Sequence, residues 1–189
     1  IPYRKLWEAL SWAVDNNCFR IAHIRDYVES GRYEELVAKS EAFYRSELEG
    51  LRQTLEKELE EIAVMIVAGP SSSGKTTSTI KVSEILEKEG KRPVPINVDN
   101  YFYDLETHPR NSFGDYDFET PQAFDLELLN DHLSRLLDGE EVDVPFYNFK
   151  SGRREGVAEK IRLEKDDVLI LDCLHGLYEP LTEAVGEEQ

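Results

Sequence analysis

Hydrophobic positions divide this chain into two kinds of territory. Up to about residue 61 they recur every three or four residues. Trp7, Leu10, Trp12 and Val14 make an early patch, and Gly31 interrupts it. From Tyr33 onward Leu36, Val37, Phe43, Tyr44, Leu48, Leu51, Leu55, Leu59 and Ile62 follow a helical stripe. The opposite face is crowded with Glu56, Lys57, Glu58, Glu60 and Glu61. The spacing predicts a solvated helix, and the repeat is too short for a coiled-coil seam. Beyond it the pattern changes. Residues 62–68 are an unbroken apolar run rich in β-branched side chains, which predicts a strand buried on both faces, as in a parallel sheet. A Gly/Ser-rich loop over 69–74 precedes a predicted helix over 76–89, with Ile80, Val82, Ile85 and Leu86 inward and Gly90 as its stop. Residues 93–98 predict a second short strand, and 103–121 a polar loop. Asp125 caps a predicted helix that runs to Leu137 and is closed by Gly139. Residues 142–149 and 157–163 predict a strand pair joined around Ser151-Gly152. Residues 168–172 predict an apolar strand that ends in Asp172.

The loop carries the first chemistry. Gly69-Pro-Ser-Ser-Ser-Gly74-Lys75-Thr76 follows an apolar strand and opens a helix, the context in which such a motif grips nucleotide phosphates. Glycines admit turns closed to other residues. The backbone N–H groups then converge on phosphate oxygens, and the helix adds its positive end. Gly69, Ser71, Ser72, Ser73, Gly74, Lys75, Thr76 and Thr77 form the expected cradle for ATP or GTP. Lys75 reaches the outer phosphates, and the Thr76 hydroxyl faces Mg²⁺. Asp172, at the end of an apolar strand, is the expected second metal group. Strand–loop–helix–strand alternation implies an α/β fold, a P-loop NTPase-type parallel sheet flanked by helices. Only three core strands are visible, near 62–68, 94–98 and 168–172. The sheet is therefore expected to be incomplete at the C-terminus, behind a small helical N-terminal segment.

Composition narrows the partners. Hydrophobic residues are 40% and charged residues 32% of the chain, a soluble balance. No apolar run approaches the ~20 residues of a membrane span. A net charge of −17 repels phosphate backbones, so nucleic acid is not an expected partner. Cys18 and Cys173 form no CxxC pair, and the expected location is the cytoplasm. Homo-oligomerisation stays open.

Asp99 follows the second strand, where strand ends open onto a common crevice. A carboxylate there can act as general base toward an acceptor hydroxyl, with neighbouring aromatics flanking the acceptor. An Asx-type turn with packing tyrosines is the competing reading, and composition does not separate the two.

Residues 62–181 resemble the uridine kinase and phosphoribulokinase group of P-loop kinases. The similarity rests on Ala68-Gly-Pro-Ser-Ser-Ser-Gly-Lys-Thr-Thr77, Val98-Asp-Asn-Tyr-Phe102, Asp115-Tyr-Asp-Phe-Glu-Thr-Pro-Gln-Ala-Phe-Asp125, Pro145-Phe-Tyr-Asn-Phe149 with Gly152-Arg-Arg154, and Leu171-Asp-Cys-Leu-His-Gly-Leu177. Arg20-Ile-Ala-His-Ile-Arg25, Tyr33-Glu-Glu-Leu36 and Ser40-Glu-Ala-Phe43 resemble uridine kinase-related proteins in which a threonyl-tRNA synthetase-like domain precedes the kinase. Residues 1–61 would then be the tail of a preceding domain, and 62–189 a kinase-like domain ending before the lid. The resemblance implies ATP-dependent phosphoryl transfer to a small hydroxyl acceptor, a nucleoside or related sugar. It makes Asp99 the catalytic base and Lys75 its phosphate-side partner. Glu119 would hold ribose hydroxyls, Tyr101 and Arg154 belong to the substrate side, and Tyr147 and Phe149 would line a base pocket. Two departures matter. Asp172 stands where the family usually has Glu, and Gly152 stands where uridine and cytidine kinases carry a base-reading His. The alternative is a nucleotide-binding regulatory module without efficient kinase activity.

Overall fold

The structure is a computed structural model and describes residues 2–70 and 72–185. Two compact units emerge, Ile1–Thr54 and Leu55–Gln189. The first holds α1 (Pro2–Asp15), α2 (Ile21–Glu29) and most of α3 (Tyr33–Glu58). Helix α1 stops where Asn17 takes a left-handed φ of 48°. The Cys18 N–H returns to the Ala13 carbonyl at 2.8 Å, satisfying one of the orphan carbonyls of a helix end. Trp12 packs on Phe43 with ring centres 5.6 Å apart, and Lys5 pairs with Glu47. Buried Tyr27 donates its hydroxyl to the Asn16 carbonyl at 2.8 Å.

The second unit is built on a three-stranded parallel sheet in the order β1-β5-β2. Its strands are β1 (Val64–Ala68), β2 (Arg92–Asn97) and, in the centre, β5 (Asp167–Cys173). Residues 168–171 of β5 are all buried, as expected for a strand covered on both faces. β2 carries Pro93 and Pro95, which an edge strand tolerates because one row of its N–H groups is unpaired. Helix α4 (Lys75–Lys88) leaves the loop after β1, and α5 (Leu126–Leu137) runs before the antiparallel pair β3 (Val142–Asn148) and β4 (Arg153–Ile161). Asp125 caps α5 by accepting the Leu128 N–H at 3.1 Å. Leu129, Leu133 and Leu136 enter one core with Ile96, Val98, Leu169 and Leu171.

Three expectations need correction. β1 is not buried on both faces: it pairs only with β5 among the described residues, and Ile66 is exposed. Ile80 points outward from α4, whose buried side is Val82, Ile85 and Leu86. β4 begins at Arg153 rather than near 157, because Gly152 adopts φ 68° and closes a tight turn through its N–H to the Asn148 carbonyl at 2.8 Å.

Candidate functional site

The loop after β1 is tied to the central strand. The Gly69 N–H donates to the Cys173 carbonyl at 3.3 Å. A Cβ on Gly69 would lie 2.8 Å from Ser73 Oγ, so a side chain there would require Ser73 to turn away. Ser72 and Gly74 take left-handed φ values of 59° and 92°, which curl the loop before α4 begins. The Ser73 N–H donates to the Pro70 carbonyl at 3.2 Å. Lys75 folds back, its Nζ donating to the same carbonyl at 3.2 Å. Thr76 and Thr77 stand exposed in the first turn of α4. Ser71 lies outside the described residues. A curled backbone at a helix N-terminus with a lysine beside it is geometry of the kind that suits an anion.

Two carboxylates approach this loop from neighbouring strand ends. After β2, Asn97 makes the local turn by accepting the Asp99 N–H at 2.9 Å. The Asp99 carboxylate itself accepts no hydrogen bond from any described residue. Burial pushes its pKa up, Lys75 pulls it down and Asp172 adds to the rise. Asp172 is likewise raised, first by burial and against the pull of Lys75, and its carboxylate accepts no hydrogen bond from any described residue either. Lys75, Asp99 and Asp172 therefore share one electrostatic neighbourhood at the C-terminal ends of the strands.

A cavity of about 210 Å³ opens here, lined by Lys75, Asp99, Phe102, Phe118, Glu119, Phe124, Phe149 and Leu174. Phe102 stacks on Phe124 with centres 4.2 Å apart and meets Phe118 and Phe149 edge-on at 5.5 and 6.0 Å. The geometry thus brings Lys75, Asp99, Glu119 and Phe149 together. It does not bring Tyr101, which is wholly buried with its hydroxyl 3.0 Å from His132 Nδ1. Tyr147 lies buried behind Phe149, ring centres 5.0 Å apart. Arg154 pairs with the capping Asp125 at 2.9 Å, and its N–H donates to Asp104 at 2.9 Å; it ties β4 to two loops. Sequence reasoning missed Phe118, Phe124 and Leu174. Phe118 precedes Glu119, and that adjacency was the available signal.

A larger hollow of about 460 Å³ lies at the other end of the sheet, lined by Lys91, Arg92, Asp166 and Asp167 among others. Lys91 is paired with Glu60 and Asp166, and Arg92 with Asp167. Its size exceeds that of the first cavity, but Lys91 and Arg92 are already paired with carboxylates. The smaller cavity, with uncommitted carboxylates, is the candidate site.

An α/β sheet with a glycine-bounded phosphate loop and a strand-end acid defines a nucleotide-handling class of domain. The chain belongs to the Phosphoribulokinase / Uridine kinase family, whose match spans residues 64–184. Residues 1–61 fall outside that match, and with them the expected likeness to a synthetase segment. A uridine kinase from Halobacterium salinarum is 33% identical over 111 residues, covering 59% of this chain and 47% of that protein. One from Deinococcus deserti is 36% identical over 116 residues, covering 61% and 54%. The chain spans about half the length of these curated relatives. The solved structure of a possible uridine kinase from Bacillus stearothermophilus superposes with a TM-score of 0.55 at 20% identity, over 74% of this chain and 78% of that one; it supports the fold.

Proposed function

We propose that this crevice transfers the terminal phosphoryl group of ATP or GTP to a hydroxyl of a small acceptor, a nucleoside or related sugar. The carrying observation is that Lys75 and the unbonded Asp99 carboxylate line one cavity whose remaining wall is aromatic apart from Leu174 and Glu119. The loop N–H groups and Lys75 hold the phosphates. Asp99 accepts the proton of the attacking hydroxyl; burial raises its pKa and Lys75 opposes that rise. Glu119 offers a hydrogen-bond acceptor to acceptor hydroxyls, and Phe102, Phe118, Phe124 and Phe149 exclude water. Family likeness in named uridine kinases supports kinase-type chemistry.

The nucleotide brings Mg²⁺ in this reading. No cluster of three His, Cys, Asp or Glu able to hold a metal exists among the described residues. Mg²⁺ usually takes one or two protein oxygens plus phosphates and water. The unbonded Asp172 carboxylate and the exposed Thr76 hydroxyl fit that demand, and the ion would neutralise charge on the phosphates.

Gly152 bears on the acceptor. A Cβ there would meet Leu105 Cβ at 2.8 Å, and the Gly152 carbonyl accepts the Leu105 N–H at 2.7 Å. The position of the family's base-reading His is taken up by packing, so uridine is expected to be a poor acceptor. A screen of hydroxyl compounds, reading ADP release by wild type and Asp99→Asn in parallel, tests the proposal. Release that depends on an acceptor and on Asp99 supports it. Equal release by both proteins would sink it.

A further inference from the structure

Helix α1 wears its apolar side outward. At 100° per residue, Tyr3, Leu6, Trp7, Leu10 and Val14 fall within an arc of about 100°. The four charges of the helix, Arg4, Lys5, Glu8 and Asp15, lie on the other side, together with Trp12. That second side is the one that meets α3, through Lys5–Glu47 and Trp12–Phe43. No described residue covers the apolar stripe: Tyr3 is 87% and Trp7 72% exposed, and Leu6, Leu10 and Val14 each more than half. Helix α2 repeats the feature with Ile21, Ile24 and Val28, all exposed. The α1 stripe alone exposes roughly 700 Å², an upper bound on what it can bury, against the ~800 Å² each partner gives a standard interface.

We infer that this stripe is the interface of a homodimer in which α1 pairs with its copy. The inference is independent of the kinase reading. A two-fold contact must be self-complementary. A stripe free of charge meets that demand, because no side chain is set against its own like charge. Charge distribution agrees. Residues 1–54 hold eight Lys and Arg against nine Asp and Glu, whereas 55–189 hold 14 against 30. The self-repulsion of this acidic chain resides in the second unit, and the helical unit is nearly neutral. A membrane surface fits less well, since interfacial helices carry a Lys/Arg-rich polar face and α1 has two charges of each sign.

Sedimentation velocity from about 1 to 100 µM reads the outcome on the whole chain. Wild type is expected to dimerise, and Leu10→Glu to weaken the dimer at least ~100-fold, since the carboxylate is buried against its copy. Phe113→Glu, an exposed aromatic in the second unit, should leave it intact. A second measurement avoids any disruptive change. The chain has two tryptophans, so Trp12→Phe leaves Trp7 as sole reporter, and its emission should move to the red on dilution. A monomer at every concentration overturns the proposal, whether or not it binds anionic vesicles. So does a dimer that survives Leu10→Glu, or a dimer in which Trp7 emission ignores dilution.

Discussion

β5 carries an aspartate near each end, and the two are treated oppositely. Asp167, at the start, takes two hydrogen bonds from the Arg92 guanidinium and one from the Glu164 N–H at 2.7 Å. The Arg92 hydrogen bond chiefly holds its carboxyl below the ordinary carboxylate range. Asp172, five residues on, has no such partner, and burial lifts it above that range. A carboxylate whose lone pairs are filled by its own protein is a clamp. One left unfilled near the phosphate loop's lysine retains capacity for something that arrives later, and upward shifts by burial gather at functional sites. The contrast extends to Asp99, unfilled like Asp172 and facing the same lysine.

The sharpest way to break the contrast is Asp99→Asn. Loss of a general base lowers turnover by about 10²–10⁴, while ATP affinity stays unchanged because phosphates are held elsewhere. Stability should not fall. A carboxyl whose folded pKa is raised binds protons more readily in the native state, so its ionised form at neutral pH opposes folding, and the amide removes that penalty. A melting temperature lowered together with ATP affinity would mark Asp99 as structural.

Next in size is Lys75→Ala. It removes the cation of the loop, and triphosphate affinity measured by calorimetry should drop by about 1.5–3 kcal/mol. Equal affinity in both proteins counts decisively against the cradle. Gly152→His is expected to destabilise by about 1–3 kcal/mol, because a side chain at φ 68° is strained and meets Leu105. Steady-state assays should show no gain with uridine; a gain would mean the turn yields and the pocket regains a base contact.

The smallest effect belongs to the filled end. Asp167→Asn should lower the melting temperature by about 2–4 °C and leave ATP affinity alone. The sign with pH follows from its depressed pKa. The stabilisation is full above the unfolded carboxylate range and disappears as pH falls through the lowered folded value. The gap between mutant and wild type should therefore close in acid.

Much of this was legible in the residues. The α/β order, the loop and the α5 cap each follow from a local rule: an unbroken apolar run, a glycine-bounded turn, an Asp three residues before a free N–H. What escaped depended on direction rather than identity. Between Asp99 and Phe102 the chain forms a 3-10 turn over Val98–Tyr101. It sends Tyr101 into the core and Phe102 to the cavity wall, and no periodicity announces that choice. Arg154 matched a substrate position, yet the capping Asp125 and the loop at Asp104 engage it. The outward Ile80 and the exposed Ile66 share a cause, since an apolar residue is buried only if another element arrives to cover it.

In the register of the sheet, Asp172 stands opposite Val67 on one side and Asn97 on the other. The loop, Asp172 and Asp99 are thereby launched from one level, Asp172 in the shared row and Gly69 and Asp99 two residues beyond it. Strand side chains alternate between faces, so this arrangement has a parity. Deleting a single residue from β5 ahead of Asp172 would hand its place to Cys173 and turn the carboxylate to the other face. Removing two would restore the facing but draw the acid out of level with Lys75 and Asp99. Substitution at the apolar positions of β5 can therefore be absorbed, whereas a change in its length cannot.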